Sequence, residues 1–191
     1  TDKNCTNKNK NETTKDKDSV KLLPINIDVF FPVMHGLKSE DGTLQGLLEL
    51  LDLPIVGCKT LSSAMAMDKN VSKILSKSCS VPVVPWTYFY STENINFDLV
   101  IENLGLPLFA KPSSAGSSIG ISKINRKEEL LPAIKKGLKY SDSVLIEKAI
   151  DAREIEIAVL GDWKGDVRVS VPGEIVPLKD FYTYEAKYKD D

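Results

Sequence analysis

Lys111-Pro112-Ser113-Ser114-Ala115-Gly116-Ser117-Ser118-Ile119-Gly120 puts a lysine at the mouth of a run of small residues. Small side chains leave backbone N–H groups open, and such groups can wrap phosphate oxygens. The lysine adds a point charge where phosphate charge gathers. The same text also suits a tight hairpin with a surface lysine. It is not a Walker loop, which needs Gly-Lys-Ser/Thr opening a helix. Glu147-Lys148-Ala149-Ile150, with Glu154 a short loop away, is a second candidate. The text around Glu147 is otherwise apolar, and a carboxylate at the end of such a strand can accept from an exocyclic amine. A second carboxylate nearby can accept from ribose hydroxyls. Two solvated acids on a hairpin fit the same spacing. His35 is the single histidine. It closes an apolar run, and strand ends are where ligands bind in α/β sheets, although a lone histidine equally serves a structural or surface role. Glu40 and Asp41 behind it suit the cap of a following helix. Lys69 lies in helical text. Phe181-Tyr182-Thr183-Tyr184-Glu185-Ala186-Lys187-Tyr188 is aromatic and charged, as befits a lid or an exposed strand. Cys58 and Cys79 read as small core residues.

The elements that must position these residues alternate in type. Ile27 to Met34 is a short apolar run rich in β-formers, which predicts a buried parallel strand. Leu44, Leu47, Leu48 and Leu51 recur at helical spacing, and Pro54 to Gly57 reads as a further short strand. Leu61 to Ser78 predicts helix with a break near Asp68, and Val83 to Tyr90 is extended. Leu106 to Lys111 and Ser118 to Ile124 flank the small-residue loop as two strands. Arg126 to Leu138 predicts a helix with Leu130, Ile134 and Leu138 on one face. Strands follow at Ser143 to Ala149, Glu154 to Leu160, Asp166 to Val171 and Glu174 to Val176. An α/β unit therefore precedes an α+β unit, with the break between Gly57 and Ser80.

Composition excludes several classes. The chain has 191 residues, 42% hydrophobic and 27% charged, with a net charge of −2. Its pI near 5.6 disfavours a general nucleic-acid binder. No apolar run reaches the roughly 18 residues that a membrane span needs, and the first residues lack the apolar core of a signal peptide. Three separated cysteines suggest neither a disulfide framework nor a zinc site. A reducing, cytoplasmic setting is the expectation. Residues 1–19 are a polar tract with little to bury, which predicts disorder.

Together these segments resemble the D-alanine–D-alanine ligase family of the ATP-grasp superfamily. Five ordered stretches carry the resemblance. They are His35-Gly36 with Glu40-Asp41-Gly42-Thr43-Leu44-Gln45-Gly46, and Ser63-Ala64-Met65-Ala66-Met67-Asp68-Lys69. Then come Lys111-Pro112 with Gly116-Ser117-Ser118-Ile119-Gly120, and Glu147-Lys148 with Arg153-Glu154-Ile155-Glu156. Last is Gly173-Glu174-Ile175-Val176 with Phe181 to Tyr188, which looks like the family's ω-loop. The text departs from the family at Ser39, where a glycine is usual before Glu-Asp-Gly.

The resemblance implies an α/β ATP-grasp fragment. A polar tract (1–19) would precede part of an N-terminal substrate domain (20–60) and a central α+β ATP-binding domain (61–165). Residues 166–191 would start the C-terminal domain with its ω-loop. It implies ATP-driven joining of two D-alanines through an acylphosphate for peptidoglycan synthesis, with D-serine or D-lactate ligases as close alternatives. An inactive, truncated nucleotide-binding module is the alternative of another class. By motif, His35 would lie beside the first D-alanine. Lys69 and Lys111 would hold ATP phosphates, Glu147 the adenine amine, the backbone of Lys148 and Ile150 the ring edge, and Glu154 the ribose. Ser117 and Tyr188 would tie the ω-loop down, and Lys187 would reach the transferred phosphate. The ligands of two Mg²⁺ ions are expected beyond Asp191, so this piece by itself is expected not to ligate. The family's opening strand finds no match in residues 1–26. The resemblance further implies a homodimer for the whole enzyme, with no nucleic-acid or membrane partner.

Overall fold

A computed structural model describes residues 26–116, 118–161 and 164–176. Its centre is a four-stranded antiparallel sheet in the order β1-β4-β2-β3, from Trp86–Phe89 (β1), Leu108–Pro112 (β2), Ser122–Ile124 (β3) and Val144–Lys148 (β4). Side chains alternate between the two faces of a strand. On one face lie Leu108, Ala110, Ile124, Val144 and Ile146, all fully buried. Phe97–Leu104 (α4) and Leu130–Gly137 (α5) supply Val100, Leu104, Leu130, Ala133 and Ile134 to that same cluster. Each large aliphatic side chain so buried contributes about 1.5–3 kcal/mol. Gly137 lets α5 approach closely, because a Cβ there would stand 2.6 Å from Val144 Cγ2.

The opposite face of the sheet carries the chemistry. Register sets Trp86 opposite Glu147, Glu147 opposite Phe109, and Lys111 opposite Leu145. Trp86, Glu147, Phe109 and Lys111 therefore share one side.

Thr60–Met67 (α2) and Lys69–Ser78 (α3) run end to end, broken at Asp68. Asp68 takes an extended conformation, and its Oδ1 accepts from the N–H groups of Asn70 and Val71, both at 2.9 Å. That is an N-cap, and it restarts the helix where the apolar spacing of the sequence faltered. Thr43–Leu50 (α1) packs on α2 through Gly42, where a Cβ would stand 2.6 Å from the Thr60 carbonyl oxygen.

The expected strand at Ile27 to Met34 is not formed as read. It makes a single parallel bridge, Phe30 to Ile55, and Phe31 and Val33 are 72% and 74% exposed. A parallel strand is buried only when neighbours and helices cover both sides, and among the described residues one bridge is all that covers it. Pro54 to Gly57 is accordingly that bridge rather than a strand. Cys58 and Cys79 are exposed rather than core residues. Helix α4 stands in a stretch to which the periodicity assigned no element; Asn96 caps it, accepting from Leu99 N–H at 3.1 Å, and Gly105 at φ 72° ends it. The stretch expected as one strand from Glu154 to Leu160 divides, because Glu154–Glu156 (β5) pairs with Gly173–Ile175 (β8) while Val159–Leu160 (β6) pairs with Arg168–Val169 (β7).

Ile134 is fully buried and Leu50 is 87% exposed. Ile134→Ala should therefore lower unfolding free energy by about 2–5 kcal/mol, and Leu50→Ala by under about 0.5 kcal/mol. Denaturant unfolding of both variants checks the assignment of core and surface.

Candidate active site

Glu147 is the centre of the site. It is only 7% exposed, on a strand whose three preceding residues, Val144, Leu145 and Ile146, are apolar and fully buried. A lone carboxylate there would pay a heavy desolvation cost. Two lysines compensate it. Lys111 reaches Oε1 from the neighbouring strand, as a diagonal partner two residues along from the directly opposed Phe109. Lys73 Nζ, from α3, lies 3.0 Å from Oε2. Burial pushes the Glu147 carboxyl up, but the Lys111 and Lys73 ammonium groups outweigh it and hold it below the ordinary value of 4.5.

Lys69 is held differently. Its backbone N–H donates to the Ser113 carbonyl at 3.0 Å. Its Nζ donates to the Ala115 carbonyl at 2.5 Å and, more distantly, to the Ser113 carbonyl at 3.4 Å. The start of α3 is thus fastened to the small-residue loop. Burial, then the nearby Lys111 ammonium, hold Lys69 below the ordinary lysine value, against the pull of Asp68 and Glu147. The base of the loop is anchored as well. Ser113 and Ser143 hydroxyls meet at 2.6 Å, and Ser114 N–H donates to Ser141 Oγ at 3.1 Å. Beyond Gly116, the chain turns through Ser118 at φ 59° and Gly120 at φ 74°. A Cβ on Gly120 would stand 2.8 Å from Pro112 Cγ, so the return of the loop over β2 needs glycine there.

A cleft of about 500 Å³ opens between this face of the sheet and the β5–β8 ribbon. Lys111, Glu147, Lys148, Ile150 and Glu154 all line it. Its walls include apolar surface from Val84, Phe109, Ile150, Ile175 and Val176. That combination suits a flat heterocycle between apolar walls with charged groups at its ends. Lys148 N–H is committed to the Pro85 carbonyl at 3.1 Å, which continues the β1–β4 ladder. Across the mouth, Arg153 and Glu174 form a two-pronged pair, Nε to Oε1 at 2.8 Å and Nη2 to Oε2 at 2.6 Å. The hydrogen bond from Arg153 holds the Glu174 carboxyl below its ordinary range.

The structure thus brings five of the sequence-read residues into one cleft, while Lys69, at the start of α3, is fastened to the small-residue loop. His35 stands apart on an exposed turn. That turn is braced by the acids behind it, with Gly36 N–H donating to Glu40 Oε2 at 2.6 Å and Lys38 N–H to Asp41 Oδ2 at 2.8 Å. The acids therefore brace this loop, and Asp41 also serves the start of α1 as the sequence suggested: its Oδ1 accepts from Thr43 N–H at 3.0 Å, although Gly42 occupies the N-cap position. Ser117, Lys187 and Tyr188 lie outside the described residues. Sequence reading missed Lys73. Its signal was present: Lys69 and Lys73 are four apart, hence on one face of a helix. Among the described residues no group of three or more His, Cys, Asp or Glu side chains is placed to hold a metal ion.

Comparison with known proteins defines the class. A family model described as "D-ala D-ala ligase N-terminus" matches residues 1–58, and one described as "D-ala D-ala ligase C-terminus" matches residues 75–191. A D-alanine–D-alanine ligase of Thermoanaerobacter sp. (strain X514) is 49% identical over 167 residues, covering 86% of this chain and 46% of the relative. The solved D-alanine–D-alanine ligase of Coxiella burnetii superposes with a TM-score of 0.73 at 39% identity, covering 80% of this chain and 45% of that one. The solved VanG D-Ala:D-Ser ligase of Enterococcus faecalis superposes with a TM-score of 0.76 at 40% identity, covering 86% and 48%. The fold is therefore an ATP-grasp one. The chain belongs to the D-alanine–D-alanine ligase family. It spans about half the length of the curated relatives that it matches.

The Glu147 carboxyl has a lower value in the folded chain than in the unfolded one. Its stabilising contribution is full above pH 4.5 and is lost as pH falls through the folded value. Glu147→Gln should therefore lose less stability than the parent chain as pH falls below 4.5. Equal acid slopes in chemical unfolding would refute the pairing of Glu147 with the two lysines.

Proposed function

We propose that the cleft binds ATP and that the protein joins two D-alanines into D-alanyl-D-alanine for peptidoglycan synthesis. The single observation that carries this reading is the convergence of Lys111, Glu147, Lys148, Ile150 and Glu154 on one cleft. In this reading the apolar walls take the adenine ring. Glu147 accepts from its exocyclic amine, the backbone of Lys148 and Ile150 follows the ring edge, and Glu154 accepts from the ribose hydroxyls. Lys111 and Lys69 face the phosphates from the sheet and from the start of α3.

The reaction is the one that membership of the family implies. The carboxylate of the first D-alanine attacks the γ-phosphorus of ATP, and ADP leaves. The amine of the second D-alanine attacks the resulting acylphosphate. The tetrahedral intermediate loses phosphate and a proton, and the dipeptide forms. Positioning and charge neutralisation accelerate both steps. His35 serves the first D-alanine, Lys187 the transferred phosphate, and Ser117 with Tyr188 the closed state of the ω-loop. That closure excludes water, which would hydrolyse the acylphosphate. The Mg²⁺ that this family implies finds no ligand set among the described residues, where Glu147 is already committed to two lysines, so no step is assigned to it. The reaction belongs where ATP and the amino acids are, in the cytoplasm. D-serine as second substrate is the other reading, and the 40% identity to a D-Ala:D-Ser ligase supports it.

Phosphate release that depends on D-alanine, measured on the whole protein bearing this chain, tests the reading. Release that is the same with and without D-alanine, or that D-serine alone promotes, would overturn the assignment of D-alanine as acceptor. Lys69 sets a second test. Its folded value lies below the ordinary 10.5, so it sheds its proton at lower pH than a free lysine. ATP affinity should fall as pH rises toward 10.5, and Lys69→Gln should bind more weakly at neutral pH with a flatter alkaline limb. Ser117 and Tyr188 set a third. A hydrogen bond between them is worth about 1 kcal/mol net, so Tyr188→Phe should slow dipeptide formation while ATP binding persists. If both Tyr188→Phe and Ser117→Ala leave the rate unchanged, the pair does not close the site.

A further inference from the structure

Lys73 is the charged contact of Glu147 to which neither the sequence reading nor the proposed reaction gives a role. It rises from α3, one turn after Lys69, and is itself largely buried. Its Nζ donates to the Val84 carbonyl at 3.2 Å, lies 3.0 Å from Glu147 Oε2, and stands 5.4 Å from the centre of the Trp86 ring. Trp86 is fixed in turn, because its indole N–H donates to Asn70 Oδ1 at 2.9 Å. Asn70 is buried on the same turn of α3. Lys73 is therefore clamped by a carbonyl, a carboxylate and an aromatic face. Among the described residues the cleft is lined by Lys111 and not by Lys73.

The two lysines on Glu147 differ in what a polyanion in the cleft would do to them. Phosphate oxygens would compete with Glu147 for Lys111, which faces the cleft. They would not compete for Lys73, which does not line the cleft and meets Glu147 at its other oxygen. Were Lys111 the single partner, its departure would leave a buried, uncompensated carboxylate, and that penalty would be charged against ligand binding.

We propose that Lys73 is a positioning residue: it holds Glu147 in place and keeps its charge compensated, so that Lys111 is free to exchange the carboxylate for the phosphates of a nucleotide. This rests on the reading that the cleft takes ATP. Lys73 thereby acts through Glu147, with no contact to the nucleotide.

The test is a double-mutant cycle on binding. Affinities for ATP and for adenosine are measured by calorimetry on the whole protein, with thermal unfolding as a control for folding. In the parent, ATP should bind much more tightly than adenosine. Lys73→Met should reduce that preference by about tenfold, the order expected for one lost charge-assisted hydrogen bond. Adenosine, which makes no demand on Lys111, should bind nearly as before. Lys73→Arg should restore the preference. In a Glu147→Gln background, where no buried charge is left to compensate, Lys73→Met should have no further effect on it. If Lys73→Met does not fold, Lys73→Gln, which can still donate to the Val84 carbonyl, serves in its place with the same expectation. An unchanged ATP-to-adenosine preference in the folded variant would overturn the proposal while leaving the nucleotide reading intact. So would an equal loss of preference in the Glu147→Gln background. A parent protein that binds neither ligand would overturn both.

Discussion

A carboxylate buried in the middle of a sheet face is the constraint around which this site is arranged. Glu147 follows three fully buried apolar residues of β4, and its ionised form is tolerable only with cations against it. Removing one partner from such a pair costs about 3–5 kcal/mol, because the remaining charge is stranded. The need for cations ties together elements that are far apart in the chain. Strand β2 brings Lys111 by register, α3 brings Lys73, and β1 brings Trp86, against which Lys73 and Lys77 both rest. The helical face of the sheet could be repacked with other aliphatic residues at modest cost. The charged face has less freedom, since Glu147, Lys111 and Lys73 each depend on the charge of another.

The small-residue loop depends on the same arrangement at one remove. Lys69 follows the cap at Asp68 directly, and its ammonium group is satisfied by loop carbonyls rather than by an acid. Carbonyl oxygens neutralise a lysine only partly. Burial and the neighbouring Lys111 ammonium then make its charge costly. Lys69, Lys73 and Lys111 gather around only two carboxylates, Asp68 and Glu147, and that excess of positive charge makes a place where additional negative charge is favourable. The proposed phosphate contacts meet that electrostatic demand, which the fold itself creates.

What could be read from the chain, and what could not, follows the range of the interactions involved. The break at Asp68 was legible because capping is local: an aspartate followed by helical text. Lys111 before small residues was legible for the same reason, and the alternation of β2 already placed Lys111 on the face away from Leu108 and Ala110. The contact between Lys111 and Glu147 was not legible, because it depends on register between strands more than thirty residues apart. Lys73 was missed because a helical lysine is usually solvated, and nothing local tells that α3 lies over a buried acid. Ile27 to Met34 misled in the opposite direction. Its composition is that of a covered parallel strand, yet a composition describes the burial a segment suits, and cover must come from other elements. The segment makes one bridge, to Ile55. Cys58 and Cys79 repeat that lesson on a smaller scale, as residues of a type often buried that here meet solvent.

The two walls of the cleft are built to different standards, and that difference bears on how a ligand would be held. The sheet wall is rigid: its ladder is continuous, its far side is packed, and its charges are interlocked. The ribbon wall, β5 with β8, is exposed along nearly its whole length and is linked internally by Arg153 and Glu174, a pair that solvent screens. A nucleotide held between them would take its orientation from the sheet, where Glu147 is held from two sides. The apolar faces of Ile175 and Val176 would give the ribbon cover and order in return. In that reading any free energy used to hold the ribbon against the ring lowers the net affinity, and the interlocked sheet wall adds little to that cost. The interlocked charges behind Glu147 thus serve both walls, the first by holding it and the second by giving its ligand a fixed surface to press against.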